Sequence, residues 1–245
     1  MPLREEMEQT GNWFFRWRSY LPLGLFVVAA AMMRWGHSPF KSGRLDNAWD
    51  AVCVVVSFLG LGIRVFTVAY APRGTSGRNV KGQIADELNT TGMYSVVRHP
   101  LYLGNFFMWL GIAMFPGVAW LVVMAALVFF LYYERIMLAE EAFLRQRYGD
   151  AFETWAGRTP PFVPKFRAWQ KPALPFSLRS VLRREYSGVF ATMACFTVLE
   201  AVGNQAIAGT WRLGPAWIVF FTLGLLQFLV LRSLKRHRLL NVQGR

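Results

Sequence analysis

The sequence predicts an all-α polytopic membrane bundle of about six transmembrane helices, including a helical hairpin, with a cytoplasmic helical segment. Three observations predict it. First, charge is segregated. The chain carries 27 Lys and Arg and 14 Asp and Glu, a net charge of +13, yet residues 101–133 hold no charged side chain. Second, the apolar stretches reach or exceed the roughly 20 residues that a spanning helix needs. Third, the basic residues sort by side. With the N-terminus inside, segments 1–18, 72–98, 134–186 and 232–245 hold 22 Lys or Arg, and the outside segments 34–50 and 209–214 hold 4. That bias fits the positive-inside rule and puts both termini in the cytoplasm. The 54% hydrophobic content decides nothing alone, since soluble domains are also about half apolar.

The elements follow in order. Residues 1–18 form a cytoplasmic segment with Glu5, Glu6 and Glu8 ahead of Arg16 and Arg18. The first apolar block, Tyr20 to Met33, is short, but no small-residue cleavage pattern follows it cleanly, so it reads as a retained span. The second runs from Trp49 to Ala71 and contains Arg64, which either snorkels to the surface or belongs to a pocket. Residues 72–92, rich in Gly, Asn, Thr and Ser, read as a loop entering a site. The third block has 33 residues, too many for one span, and Pro116-Gly117 near its middle breaks it into a hairpin. Together, residues 19–133 make a four-span core.

Residues 134–186 read as a cytoplasmic and interfacial segment. Ile136, Ala139, Ala142 and Phe143 recur by threes and fours, as in a helix, and Gly149 looks like its C-terminal stop. A second amphipathic stretch covers 150–155. Pro160, Pro161 and Pro164 then bar helix and strand interior alike, leaving an extended wall or lid. Residues 176–186 read as a basic amphipathic helix on the inner membrane surface. Residues 187–245 form a two-span hairpin around a 209–214 turn, followed by a basic tail. Within the hairpin, Glu200, with Asn204 and Gln205, reads as a structural polar group.

Several function classes drop out. The positive charge follows from membrane topology and anionic lipid, and no aromatic-basic nucleic-acid module is present. Cys53 and Cys195 sit far apart in expected spans, as packing residues. His37, His99 and His237 lack a Cys or His at ligand spacing, so no metal site is expected.

Two constellations carry chemistry. Arg98-His99-Pro100 stands at the mouth of the third block, followed by Tyr102 and Gly104. Proline is tolerated in a first helical turn, so a helix starting at Pro100 would leave free backbone donors for a carboxylate or phosphate. Gly104 would admit close approach. The alternative is lipid anchoring, with Arg98 on phosphates and Tyr102 in an aromatic belt. The second constellation is Glu140-Glu141, about 100° apart on a helix. One would bind a polar ligand while the other pairs with an arginine, or both would line a solvated face.

Taken together, the two segments resemble a known family. Gly92-Met-Tyr94, then Arg98-His-Pro-x-Tyr102-x-Gly104 with Gly111, is similar to the R-H-P-x-Y-x-G signature of the isoprenylcysteine carboxyl and phospholipid methyltransferases. Glu140-Glu141, Leu144, Tyr148-Gly149, Phe152, Trp155, Arg158-Thr-Pro160 and Pro164 resemble that family's C-terminal signature, with Phe152 and Trp155 departing from its usual tyrosines. The resemblance covers about 80–165.

It implies an integral membrane enzyme that transfers a methyl group from S-adenosylmethionine to a lipophilic acceptor, a prenylcysteine-type carboxylate or an amino-phospholipid. Its partners would be the bilayer and a lipid or lipidated acceptor, with no nucleic acid. Tyr94, His99, Pro100, Tyr102, Gly104, Glu140 and Glu141 would bind the cofactor. Arg98, His99 and Arg158 would act on the acceptor, the two arginines holding an anionic head. A membrane NADPH-dependent sterol-type reductase and a small-thiol S-methyltransferase are the alternatives. The paired Glu and the Arg-Thr-Pro-Pro run favour methyl transfer over reduction.

Overall fold

The structure, a computed structural model, describes residues 2–35, 43–72 and 85–242. His37 and residues 73–84 of the expected loop lie outside the described residues. The elements are helical: α1 (Leu3–Trp17), α2 (Leu21–Met32), α3 (Gly43–Tyr70), α4 (Met93–Val96), α5 (Pro100–Met114), α6 (Ala119–Tyr148), α7 (Asp150–Arg158), α8 (Leu178–Ala208) and α9 (Pro215–Arg236). Among the described residues the β-type pairing is an isolated bridge between Gly92 and Gln170. Four helices are long and apolar enough to cross a membrane: Leu45–Tyr70, Ala119–Tyr148, Leu178–Ala208 and Pro215–Arg236. The shorter apolar helices Pro22–Met32 and Pro100–Met114 stand where the other two expected spans fall.

Local chemistry sets the ends that matter. His99 is the N-cap of α5, with Pro100 at its first position, where the missing N–H costs nothing. The hairpin closes through Gly117, whose φ of +70° suits a residue without Cβ and whose N–H donates to the Met114 carbonyl at 2.9 Å. α6 then runs unbroken for 30 residues. From Ala119 to Glu140 it rises about 32 Å, close to one hydrocarbon thickness, so the glutamate pair emerges at the membrane edge. Gly149, at φ +51°, stops it and starts α7.

Two boundaries expected from sequence shift. The 133/134 boundary falls inside α6, and 186/187 falls inside α8, because nothing in either stretch breaks the helix. Residues 178–186 are therefore the first turns of α8 and not a separate surface helix. Ser177 caps it, its hydroxyl accepting from the Ser180 N–H.

The bundle is held by small residues and aromatic rings. Cys53, Ser57, Gly60 and Arg64 share one face of α3, which lies against α5. There the Ser57 hydroxyl donates to the Met108 carbonyl at 2.9 Å. A Cβ on Gly60 would meet the α5 backbone at Met108 N at 2.8 Å. Such close approach is how helices associate where lipid offers no hydrophobic drive. Between α5 and α6, Phe129 stacks on Tyr133 at 4.2 Å and meets Trp109 edge-on at 5.3 Å. Phe162, from the proline stretch, inserts against Phe106 and Phe130. α1 lies along α6, where the Tyr132 hydroxyl donates to the Phe14 carbonyl at 2.9 Å. Trp13, Trp17 and Tyr20 form an exposed row of rings, suited to the membrane interface. Glu200 accepts from Asn204 at 3.0 Å within α8.

The α3–α5 crossing generates a contrast. Gly60→Ala should lower stability by about 1–3 kcal/mol, because its methyl meets backbone that cannot yield. Gly62 faces open space, so Gly62→Ala should be neutral or stabilising. Thermal unfolding of the two variants in detergent checks this, and equal behaviour would contradict the crossing.

Candidate active site

The first turn of α5 meets the C-terminal part of α6. The Tyr102 hydroxyl donates to Glu140 Oε1 at 2.5 Å. His99 lies between both acids, with Nε2 at 3.0 Å from Glu141 Oε1 and Nδ1 at 3.5 Å from Glu140 Oε2. Arg98 Nη1 donates to Glu141 Oε2 at 3.2 Å. The His99 and Tyr102 rings stack at 5.7 Å. The proline stretch fixes the backbone from the other side: the Arg98 N–H donates to the Pro160 carbonyl at 2.8 Å and the His99 N–H to the Pro161 carbonyl at 3.2 Å. Three segments far apart in sequence thus converge on two residues.

A cavity of about 1030 Å³ opens beside this cluster. That stands at the upper end of the roughly 300–1,000 Å³ of small-molecule pockets. Tyr94, Arg98, His99, Pro100, Tyr102 and Glu140 line it, with Trp155 beside Tyr94. The Trp155 indole N–H donates to the Tyr94 backbone carbonyl at 2.9 Å, which orients the indole. Burial, with the charge of Glu140, pushes the Tyr94 phenol above its usual range, so it stays a donor. From the described part of the entering loop, Ala85, Glu87, Leu88 and Asn89 reach the rim.

The two glutamates divide their work as the 100° offset requires. Glu140 faces the cavity, while Glu141 turns to Arg98 and His99 and is not among the lining residues. Two expected site residues stand elsewhere. Gly104 faces α3, and a Cβ there would lie 2.5 Å from Arg64 Cγ and 2.7 Å from the Gly60 carbonyl oxygen. Its missing side chain makes room for a helix and an arginine stem. Arg158 is exposed at the last position of α7 and does not line the cavity, because the helix ends there and turns its side chain outward. Phe152 is fully buried against Trp155 and supports it from behind.

Sequence reasoning missed one partner. Arg64 neither snorkels nor stands free. Its Nε and Nη2 donate to Glu185 at 3.0 and 2.8 Å, and its Nη1 donates to Asn105 Oδ1 at 2.7 Å. Asn105 in turn donates to the Tyr133 hydroxyl at 3.0 Å. An unpaired arginine inside an apolar block, and a glutamate in the Arg-Arg-Glu-Tyr run, were the signals available.

The donor set suits a zwitterionic cofactor. Arg98 Nε is buried with no hydrogen-bond partner among the described residues, a donor free for a carboxylate. Glu140 offers a carboxylate to an ammonium or to hydroxyls. Tyr94 and Trp155 offer ring faces to a cation.

Comparison with known proteins falls on the same wall. Residues 51–151 match the family model described as phospholipid methyltransferase. The chain is 32% identical over 119 residues to the nickel-cobalt-cadmium resistance protein NccN of Alcaligenes xylosoxydans xylosoxydans, covering 49% of this chain and 55% of that protein. It is 30% identical over 145 residues to the cobalt-zinc-cadmium resistance protein CzcN of Cupriavidus metallidurans, covering 59% and 62%. It is 31% identical over 113 residues to the protein-S-isoprenylcysteine O-methyltransferase of Schizosaccharomyces pombe, covering 44% and 48%. The chain thus spans about half to three-fifths of the curated relatives it matches. No solved structure matches it significantly. The stretch matched by the family model runs from α3 to the start of α7 and contains both Arg98–Gly104 and Glu140-Glu141.

His99 generates a pH dependence. Burial pulls its pKa down, but the hydrogen bonds and charges of Glu140 and Glu141 outweigh burial, and the net shift is upward from 6.5. A raised folded pKa means that the folded state holds the proton more tightly. That stabilisation is complete below about 6.5 and is lost as pH rises through the higher folded value. The melting temperature in detergent should therefore fall on the alkaline side of 6.5, and His99→Gln should flatten that fall. An identical slope in both proteins would contradict the clamp.

Proposed function

We propose that the protein is an integral membrane methyltransferase that uses S-adenosylmethionine and acts on a lipophilic acceptor, with both termini in the cytoplasm. The observation that carries the reading is the meeting of the Arg98–Tyr102 turn with Glu140 and Glu141 beside a cavity of about 1030 Å³. The family-model match over 51–151 supports the same chemistry.

When bound, S-adenosylmethionine supplies an electrophilic methyl group whose bond to sulfur breaks with the electron pair left on sulfur. The protein's work is then binding and alignment. Arg98 would hold the amino-acid carboxylate through its unpaired Nε, and Glu140 the ammonium or ribose hydroxyls. Tyr94 and Trp155 would face the sulfonium or the adenine. Glu141 positions Arg98 and His99 from behind, and Tyr102 positions Glu140. Alignment of a fixed donor and acceptor can supply several kcal/mol of barrier lowering. A carboxylate acceptor needs no base. An amine acceptor must lose a proton, for which His99 and Glu140 are the candidate bases at the cavity.

Calorimetry on the full chain in detergent should show binding of S-adenosylmethionine and none of NADPH. Glu140→Ala should weaken that binding by roughly tenfold or more, the worth of one charge-assisted hydrogen bond, in protein whose melt remains cooperative. Labelled methyl should enter the lipid fraction of a membrane extract. Binding of NADPH alone, or of neither ligand, would overturn the proposal.

A further inference from the structure

The C-terminal helices extend the cavity beyond the cofactor wall. Seven Lys or Arg side chains line it against three Glu, and one of those acids, Glu185, is engaged by Arg64. Four of the seven come from one place, Arg183 and Arg184 in the first turns of α8 and Lys235 and Arg238 at the end of α9. All four lie outside the stretch that matches the family model.

The local structure holds this group together. Arg183 Nη1 donates to Asn241 Oδ1 at 3.4 Å, tying the start of α8 to the turn after α9. Lys235 Nζ lies 5.1 Å from the centre of the Tyr186 ring. Arg238, at φ +60°, is the left-handed residue that ends α9, where the Leu239 N–H donates to the Leu234 carbonyl at 3.0 Å. The same cavity also has apolar lining, with Leu23, Phe26, Met108, Ile112 and Ala191.

The charge balance then selects the second occupant. S-adenosylmethionine carries a sulfonium, an ammonium and a carboxylate, so it adds one net positive charge to an already cationic cavity. A cationic amine acceptor would add another. Arg98 is engaged by Glu141 and Arg158 points away, so neither supplies the acceptor's main anchor. We propose that Arg183, Arg184, Lys235 and Arg238 form the head-group subsite for the acceptor, which is an anionic amphiphile with a phosphate or carboxylate head and an apolar tail. This rests on the methyl-transfer reading for the occupant's role as acceptor, but its binding can be measured without that reading.

The full chain in dodecyl maltoside micelles would be titrated with dodecyl phosphate, with laurate and with dodecylamine, following tryptophan fluorescence from Trp109 and Trp155 on the cavity wall. Both anions should bind, and their relative affinity separates a phosphate from a carboxylate head. Dodecylamine should not bind. Arg183→Gln combined with Arg238→Gln should weaken anion binding roughly tenfold or more and leave S-adenosylmethionine binding unchanged. Arg147→Gln with Arg179→Gln removes the same charge from exposed sites off the cavity and should change nothing. Equal binding of the amine, an equal loss in the control pair, or loss of S-adenosylmethionine binding in the first pair would each overturn the subsite. Absence of S-adenosylmethionine binding in the wild type, with anion binding still dependent on Arg183 and Arg238, would overturn the methyl-transfer reading and leave the subsite standing.

Discussion

The ion pair between Arg64 and Glu185 is the contact on which the rest of the arrangement depends. A guanidinium in the inner part of a helix bundle is costly unless its donors are met, and removing one partner from such a pair costs about 3–5 kcal/mol. Here two donors go to Glu185 on α8 and a third to Asn105 on α5, which continues to Tyr133 on α6. Four helices are therefore tied through one side chain. The tie joins the stretch similar to phospholipid methyltransferases to a helix outside it, and both sides of that join line the cavity. Gly104 gives up its side chain so that the Arg64 stem can pass between α3 and α5.

The paired glutamates show how one rigid rod can serve two purposes. α6 crosses the hydrocarbon and carries its acids just past it, without a hinge between. Adjacent positions on that rod point in different directions, so one acid stays at the cavity while its neighbour closes a network behind the wall. Pro160 and Pro161 complete the support by accepting from the backbone that displays Arg98 and His99. A proline carbonyl is a fixed acceptor, and the stiff chain around it cannot follow a fluctuation.

Much of this was legible in the sequence because it is written in local chemistry. The start of α5 at Pro100, the break at Pro116-Gly117 and the stop at Gly149 are each dictated by one or two residues. The separate directions of Glu140 and Glu141 follow from helical geometry. What was not legible depends on partners distant in the chain. Spacing cannot say which glycine faces a ligand and which faces a neighbouring helix, and Gly104 does the second. Nor does it say where a side chain at a helix end points, and Arg158 points outward. The Glu185 partnership crosses 121 residues, so neither member announces the other. The basic run in the first turns of α8 looked like a surface anchor because nothing local reveals that the turn after α9 folds back on it.

α5 has fifteen residues and rises only about 22 Å, well short of the roughly 30 Å of hydrocarbon. Its site end bears His99 and Tyr102, which touch the glutamate pair at the membrane edge. The shortfall of about 8 Å therefore falls at its hairpin end, where the buried Phe115 and Pro116 carry the chain on toward Gly117. A water-soluble reactant would meet the site at the bilayer rim, where a lipid-borne one already presents its head group. The bilayer surface would thus bring both reactants to one level.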